Sequence, residues 1–132
     1  MIIYIHGFAS SGLGDKPKIF KEYFKNEIIT PSLSTIPFLA IHTLEDIIKV
    51  FLAKGEKVYL VGSSLGGFYS LYLANKYNLK AVLINPALNP KKTLSKFYSF
   101  GLVKNYFDNS NFEITQEQLK SLENFQVSLI QN

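Results

Sequence analysis

The sequence predicts an α/β fold: a parallel sheet with helices on both faces. Short continuous apolar runs recur along the chain: Ile2-Ile3-Tyr4-Ile5, Val58-Tyr59-Leu60-Val61 and Ala81-Val82-Leu83-Ile84. Runs that are apolar throughout suit strands covered on both sides. Between them, apolar residues repeat every three or four positions, which is the spacing of a helix face. Alternation of the two patterns favours parallel pairing through helical crossovers. At 132 residues, 47% of them hydrophobic, the chain is expected to form one domain, residues 1–132, around one core.

The first strand, Ile2-Ile3-Tyr4-Ile5, is broken by Gly7 and a loop of small residues through Gly14. Asp15 is expected to cap a helix from Lys16, with Pro17 in the first turn, where its missing N–H costs nothing. Ile19, Phe20, Tyr23 and Phe24 form that helix's apolar face. Ile28-Ile29 starts a short strand ended by Pro31, and a Ser/Pro-rich loop continues to Pro37. Thr43-Leu44-Glu45-Asp46 has the pattern of a capping box and predicts a helix opening there. Its stripe is Leu44, Ile47, Ile48, Phe51 and Leu52, and Gly55 stops it.

The run at 58–61 leads into Gly62-Ser63-Ser64-Leu65-Gly66-Gly67 and then a helix carrying Leu65, Phe68, Tyr69, Tyr72 and Leu73. The strand at 81–84 is stopped by Asn85-Pro86. Residues 90–111 loosen into a helix with Leu94, Phe97 and Tyr98, followed by a polar loop in which Asp108 reads as a turn former. Thr115-Gln116-Glu117-Gln118 is a second capping box, ahead of a buried stripe of Leu119, Leu122 and Phe125. Residues 127–130 form a last β-like run.

Composition narrows the function. The net charge is +4, yet the fourteen basic residues are all lysine, scattered, with only Lys91 and Lys92 adjacent. Arginine is the residue for bidentate phosphate and guanine contacts, so its absence argues against nucleic acid. No run approaches the roughly 20 apolar residues of a membrane span, and no membrane partner is expected. The opening residues lack the basic stretch and cleavage site of a signal peptide, and a cytoplasmic location is expected. The absence of cysteine excludes a disulfide scaffold. No motif asks for a metal or a cofactor, and none is expected.

The chemistry concentrates at Gly62-x-Ser64-x-Gly66, between a strand and a helix. A dinucleotide fingerprint requires glycine where Ser64 stands, and a phosphate-binding P-loop requires Lys-Ser/Thr where Phe68 and Tyr69 stand. The pattern that fits is the nucleophile elbow, a tight strand-to-helix turn lifting a serine hydroxyl above the sheet. The helix N-terminus beside it favours developing negative charge. His6-Gly7-Phe8 follows the first strand, in the loop expected to lie next to the elbow. The backbone N–H groups of Phe8 and Leu65 are therefore expected to form an oxyanion hole, with Gly62 and Gly66 shaping the elbow. His6 reads as a brace for the Gly7 loop rather than as a base. His42 reads as a surface residue just before the helix cap at Thr43.

These segments resemble an α/β-hydrolase, and most closely the small bacterial YqiA-type esterases. The likeness rests on Ile2-Ile3-Tyr4-Ile5-His6-Gly7-Phe8 with Ser10-Ser11, on Val61-Gly62-Ser63-Ser64-Leu65-Gly66-Gly67-Phe68-Tyr69, and on residues 79–87. Glu113-Ile114-Thr115 and residues 127–131 match late segments, so the likeness runs along essentially the whole chain. The resemblance implies Ser64 as nucleophile and hydrolysis of short acyl esters or thioesters. It also implies an acid in a turn just after the run at 127–130, and a later histidine. The sequence reaches Asn132 before either, so a C-terminal strand and helix are expected to be missing, and little or no turnover is expected of the 132-residue chain.

A truncated serine esterase is the first reading. A non-catalytic hydrolase-like binding module is the second, and a subunit completed by another chain the third. An uncovered edge at 127–130 would also recruit a second copy of the chain.

Overall fold

The computed structural model describes residues 1–92, 94, 102–105, 110–113 and 115–127. Strands β1 (Ile2–Ile5), β2 (Ile28–Ile29), β3 (Tyr59–Ser63) and β4 (Lys80–Ile84) pair in parallel in the order β2-β1-β3-β4. The chain leaves β1 to one side for β2, then returns to β1's other side for β3. That reversal is a topological switch point, so the loops after β1 and β3 emerge next to each other at the carboxyl end of the sheet. Ligands of open α/β sheets bind there.

Helix α1 (Asp15–Phe24) covers one face, where Tyr4, Ile28 and Val61 cluster with the half-buried Phe20 and Phe24. Helices α2 (Pro37–Ala53) and α3 (Leu65–Tyr77) cover the other, burying Ile3, Ile5 and Leu60 under Ile41, Leu44, Ile48, Phe68 and Leu73. Glu45 of α2 accepts hydrogen bonds from Lys76 Nζ (2.6 Å) and Tyr77 Oη (2.5 Å) of α3. Beyond β4, strands β5 (Leu102–Lys104) and β6 (Asn111–Glu113) pair as an antiparallel hairpin. Helix α4 (Gln116–Ser121) follows, with a 3₁₀ turn at Leu122–Phe125. No helix among the described residues is long and apolar enough to cross a membrane.

The parallel sheet with helices on both faces is as the sequence predicts, and the second capping box forms. The Gln118 amide donates to Thr115 Oγ1 at 3.1 Å, and Gln118 Oε1 accepts from the Thr115 amide at 3.3 Å. Three expectations need correction. Helix α2 opens at Pro37, not Thr43, because the stripe of Leu44 and Ile48 continues back through Ala40 and Ile41, and proline suits a first helical position. Asp15 lies inside α1, whose N-cap is Gly14, and Ile19 and Tyr23 are 65% and 78% exposed, so the covered side is Pro17, Phe20 and Phe24. Part of the expected polar loop is the β5–β6 hairpin. Phe97, Tyr98, Asp108 and the run at 128–130 lie outside the described residues, and Val127 belongs to no strand.

Candidate active site

Ser64 is the N-cap of α3, one residue past β3, with φ 55° and ψ −117° and its side chain exposed. A non-glycine residue held there carries strain of roughly 1–3 kcal/mol and persists only where its surroundings fix it. Those surroundings are specific. The Ser64 amide donates to the Ile84 carbonyl at 3.0 Å, and the Ser64 carbonyl accepts from the amides of Gly67 and Ala87, each at 2.9 Å. The turn is thus tied to its own helix and to the segment after β4.

Two glycines make this fold possible for steric reasons. A methyl on Gly66 would strike the Ile5 carbonyl oxygen, and one on Gly62 would strike the Gly66 carbonyl and Ser70 Oγ. Ser70, fully buried, donates to that same Gly66 carbonyl at 2.7 Å. The turn therefore presses directly against β1, which brings the loop after β1 to Ser64. A Cβ built on Gly7 would lie 3.3 Å from Ser64 Cβ and 3.9 Å from its Oγ. Phe8, Gly7 and Ser10 line one small cavity with Leu65, Tyr69 and Leu33. Phe8, Leu65 and the Ser64 turn, proposed from sequence as parts of one site, thus lie together at the carboxyl end of β1 and β3.

His6 is buried beneath this loop with both ring nitrogens engaged. The Leu33 amide donates to Nε2 at 2.8 Å, so Nε2 carries no proton, and Nδ1 donates to the Gly7 carbonyl at 2.8 Å. Burial lowers its pKa from the ordinary 6.5, with the Gly7 bond opposing, which favours the same neutral ring. This is the geometry of a brace. His42 is an exposed residue within α2, with Nδ1 3.4 Å from Asp46 Oδ2 one turn on. It sits inside the helix and not before its cap, a correction that follows from the helix opening at Pro37.

The structure also gathers residues that sequence reasoning did not single out. Ser63, buried beside the elbow, accepts from Lys16 Nζ at 3.2 Å. It also bonds Tyr4, whose hydroxyl burial pushes toward the protonated form. The Phe112 ring meets the Phe8 ring edge-on at 5.5 Å, and Asn105 Nδ2 donates to the Ser10 carbonyl at 3.1 Å. These partners are about a hundred residues apart in sequence, and no local pattern announces such a contact. Among the described residues, no group of three or more His, Cys, Asp or Glu side chains is placed to hold a metal.

The family model for UPF0227, described as an uncharacterised protein family, matches residues 1–132. A UPF0227 protein of Serratia proteamaculans is 30% identical over 100 residues, covering 70% of this chain and 53% of the relative. One from Yersinia pseudotuberculosis is 29% identical over 103 residues, covering 72% of this chain and 55% of its own length. The chain thus spans about half the length of the curated relatives it matches. Among solved structures, mouse alpha/beta hydrolase domain-containing protein 10 aligns over 96% of this chain and 61% of its own, with a TM-score of 0.58 at 21% identity. These matches agree with the resemblance to α/β-hydrolases of the YqiA type, and the last of them supports the fold.

Proposed function

We propose that this chain, which belongs to the UPF0227 family, carries the nucleophile and oxyanion-binding elements of a serine hydrolase for short acyl esters or thioesters. The supporting observation is Ser64, fixed at positive φ between β3 and α3 with the Gly7 backbone beside its side chain. In this reading Ser64 Oγ attacks the acyl carbonyl carbon and forms a bond to it, while its proton passes to a base. The tetrahedral oxygen rests against the N–H groups of Phe8 and Leu65 and the positive end of α3. Collapse breaks the carbon–oxygen or carbon–sulfur bond, and the leaving alkoxide or thiolate takes up the proton. Water then attacks the acyl-serine and releases the carboxylic acid. Each oxyanion donor supplies roughly 3 kcal/mol of transition-state stabilisation.

A serine without an adjacent base is a weak nucleophile. His6 is committed on both nitrogens, and His42 is exposed on α2 and does not line the cavity at Phe8 and Leu65, so the base and acid of this reading come from outside the described residues. That observation favours a second reading, a hydrolase-like module that binds a ligand without turnover. Hydrolysis of p-nitrophenyl butyrate separates the two. The first reading expects slow release above the blank that Ser64→Ala abolishes and His42→Ala leaves intact. Release that survives Ser64→Ala contradicts it, and no release alongside saturable ester binding supports the second.

A further inference from the structure

We infer that the β5–β6 hairpin is the clamp of the oxyanion loop, with Phe112 and Asn105 as positioning residues that fix the direction of the Phe8 amide. The inference rests on the proposed role of Phe8, and its evidence is how the loop after β1 is held. From below, the loop is braced by His6, which ties Leu33 to Gly7. Above the brace, the buried Ala9 takes φ 58°, a conformation its side chain disfavours, so the loop must be fixed by its surroundings. The hairpin supplies a further hold. Its β6 residue Phe112 sets a ring edge-on against Phe8, at 5.5 Å and 78°. The residue after β5, Asn105, closes the hairpin by donating its amide to the Ser110 carbonyl at 2.7 Å, and sends its side-chain nitrogen to the Ser10 carbonyl at 3.1 Å. The two contacts fall on residues 8 and 10, on either side of Ala9.

An oxyanion donor works through direction. Displacement of about 1 Å can cost on the order of 100-fold in rate even when the substitution lies away from the reacting atoms. The hairpin therefore acts on rate through Phe8.

The test, run with added imidazole as the general base, is the second-order rate of covalent labelling by a fluorophosphonate, whose tetrahedral adduct places a P–O oxygen in the oxyanion hole. It is read together with hydrogen exchange of the residue 8–10 amides. Phe112→Ala and Asn105→Ala are each expected to slow labelling about tenfold and to speed exchange at residues 8–10. Phe112→Tyr, which keeps the ring, is expected to restore both. Phe125→Ala is the control: it removes a buried ring that packs edge-on against Tyr72 at 5.0 Å on α3, away from the loop. It is expected to lower stability while labelling of the folded protein stays within twofold. Equal labelling and unchanged exchange in wild type, Phe112→Ala and Asn105→Ala would overturn the clamp and leave the hydrolase reading intact. Absence of labelling in the wild type would overturn the hydrolase reading, and the clamp's role in catalysis with it. Slowing by Phe125→Ala equal to that of Phe112→Ala would reduce the effect to general loosening and overturn the clamp.

Discussion

The two faces of the sheet are built to different standards. Beneath α2 and α3, Ile3, Ile5, Leu60, Ile41, Leu44, Ile48, Phe68 and Leu73 are all at most 2% exposed. On the α1 side the cover among the described residues is one helix lying over Tyr4, and Val82 of β4 is 61% exposed. The elbow belongs to the closed face, because α3 starts at Ser64's neighbour and packs there along its length. A strained turn needs rigid surroundings, and this protein supplies them on the side where the strain is held.

The contrast can be broken most violently at Gly66. A methyl at this position meets the backbone of β1, which cannot move without parting β1 from β3, so Gly66→Ala is expected to cost more than about 4 kcal/mol or to prevent folding. Urea unfolding followed by circular dichroism measures it. Next in size is the difference between the faces themselves. Leu44→Ala should cost about 2–5 kcal/mol and Val82→Ala within about 0.5 kcal/mol by the same measurement. Equal costs would show that the α1 face is better sealed than its exposure indicates. Thr115→Ala removes the capping box of α4, at the outer rim of the closed face, and is expected to cost about 1 kcal/mol.

The smallest effect is in pH dependence. The folded pKa of His6 lies below its ordinary 6.5, so its contribution is fully present above that value and is lost as pH falls through the folded pKa. Protonation would also place a proton on Nε2, facing the Leu33 amide. Thermal melts from pH 7.5 to pH 5 should therefore show a loss of stability that is weaker in His6→Gln. An identical pH profile in that variant would remove His6 from the account.

The sequence was most legible where one local pattern had one physical solution. Apolar runs gave the parallel strands, and Thr115 with Gln118 gave a cap that needs only four residues. It misled at Thr43, because a capping pattern in mid-helix looks like one at a terminus unless the apolar stripe is followed back to Ala40 and Ile41. Tyr23 and Ile19 misled in another way: helical spacing identifies a face, but only the neighbours decide whether that face is covered. At the site, Gly62-x-Ser64-x-Gly66 and His6-Gly7-Phe8 could be singled out from sequence, since each is short and contiguous. The hold of Phe112 and Asn105 on the loop could not be, because it depends on how a distant hairpin lies against the loop after β1.

The central claim is that Ser64 sits on a preformed elbow as a nucleophile. Incubating the chain with a fluorophosphonate, with imidazole added as the general base, and mapping the adduct by peptide mass spectrometry tests it most directly. The account predicts one adduct, on Ser64, lost in Ser64→Ala and lost when the chain is unfolded in urea. Modification of Ser63, Ser70 or a lysine in place of Ser64, or labelling that persists in the unfolded chain, would contradict it.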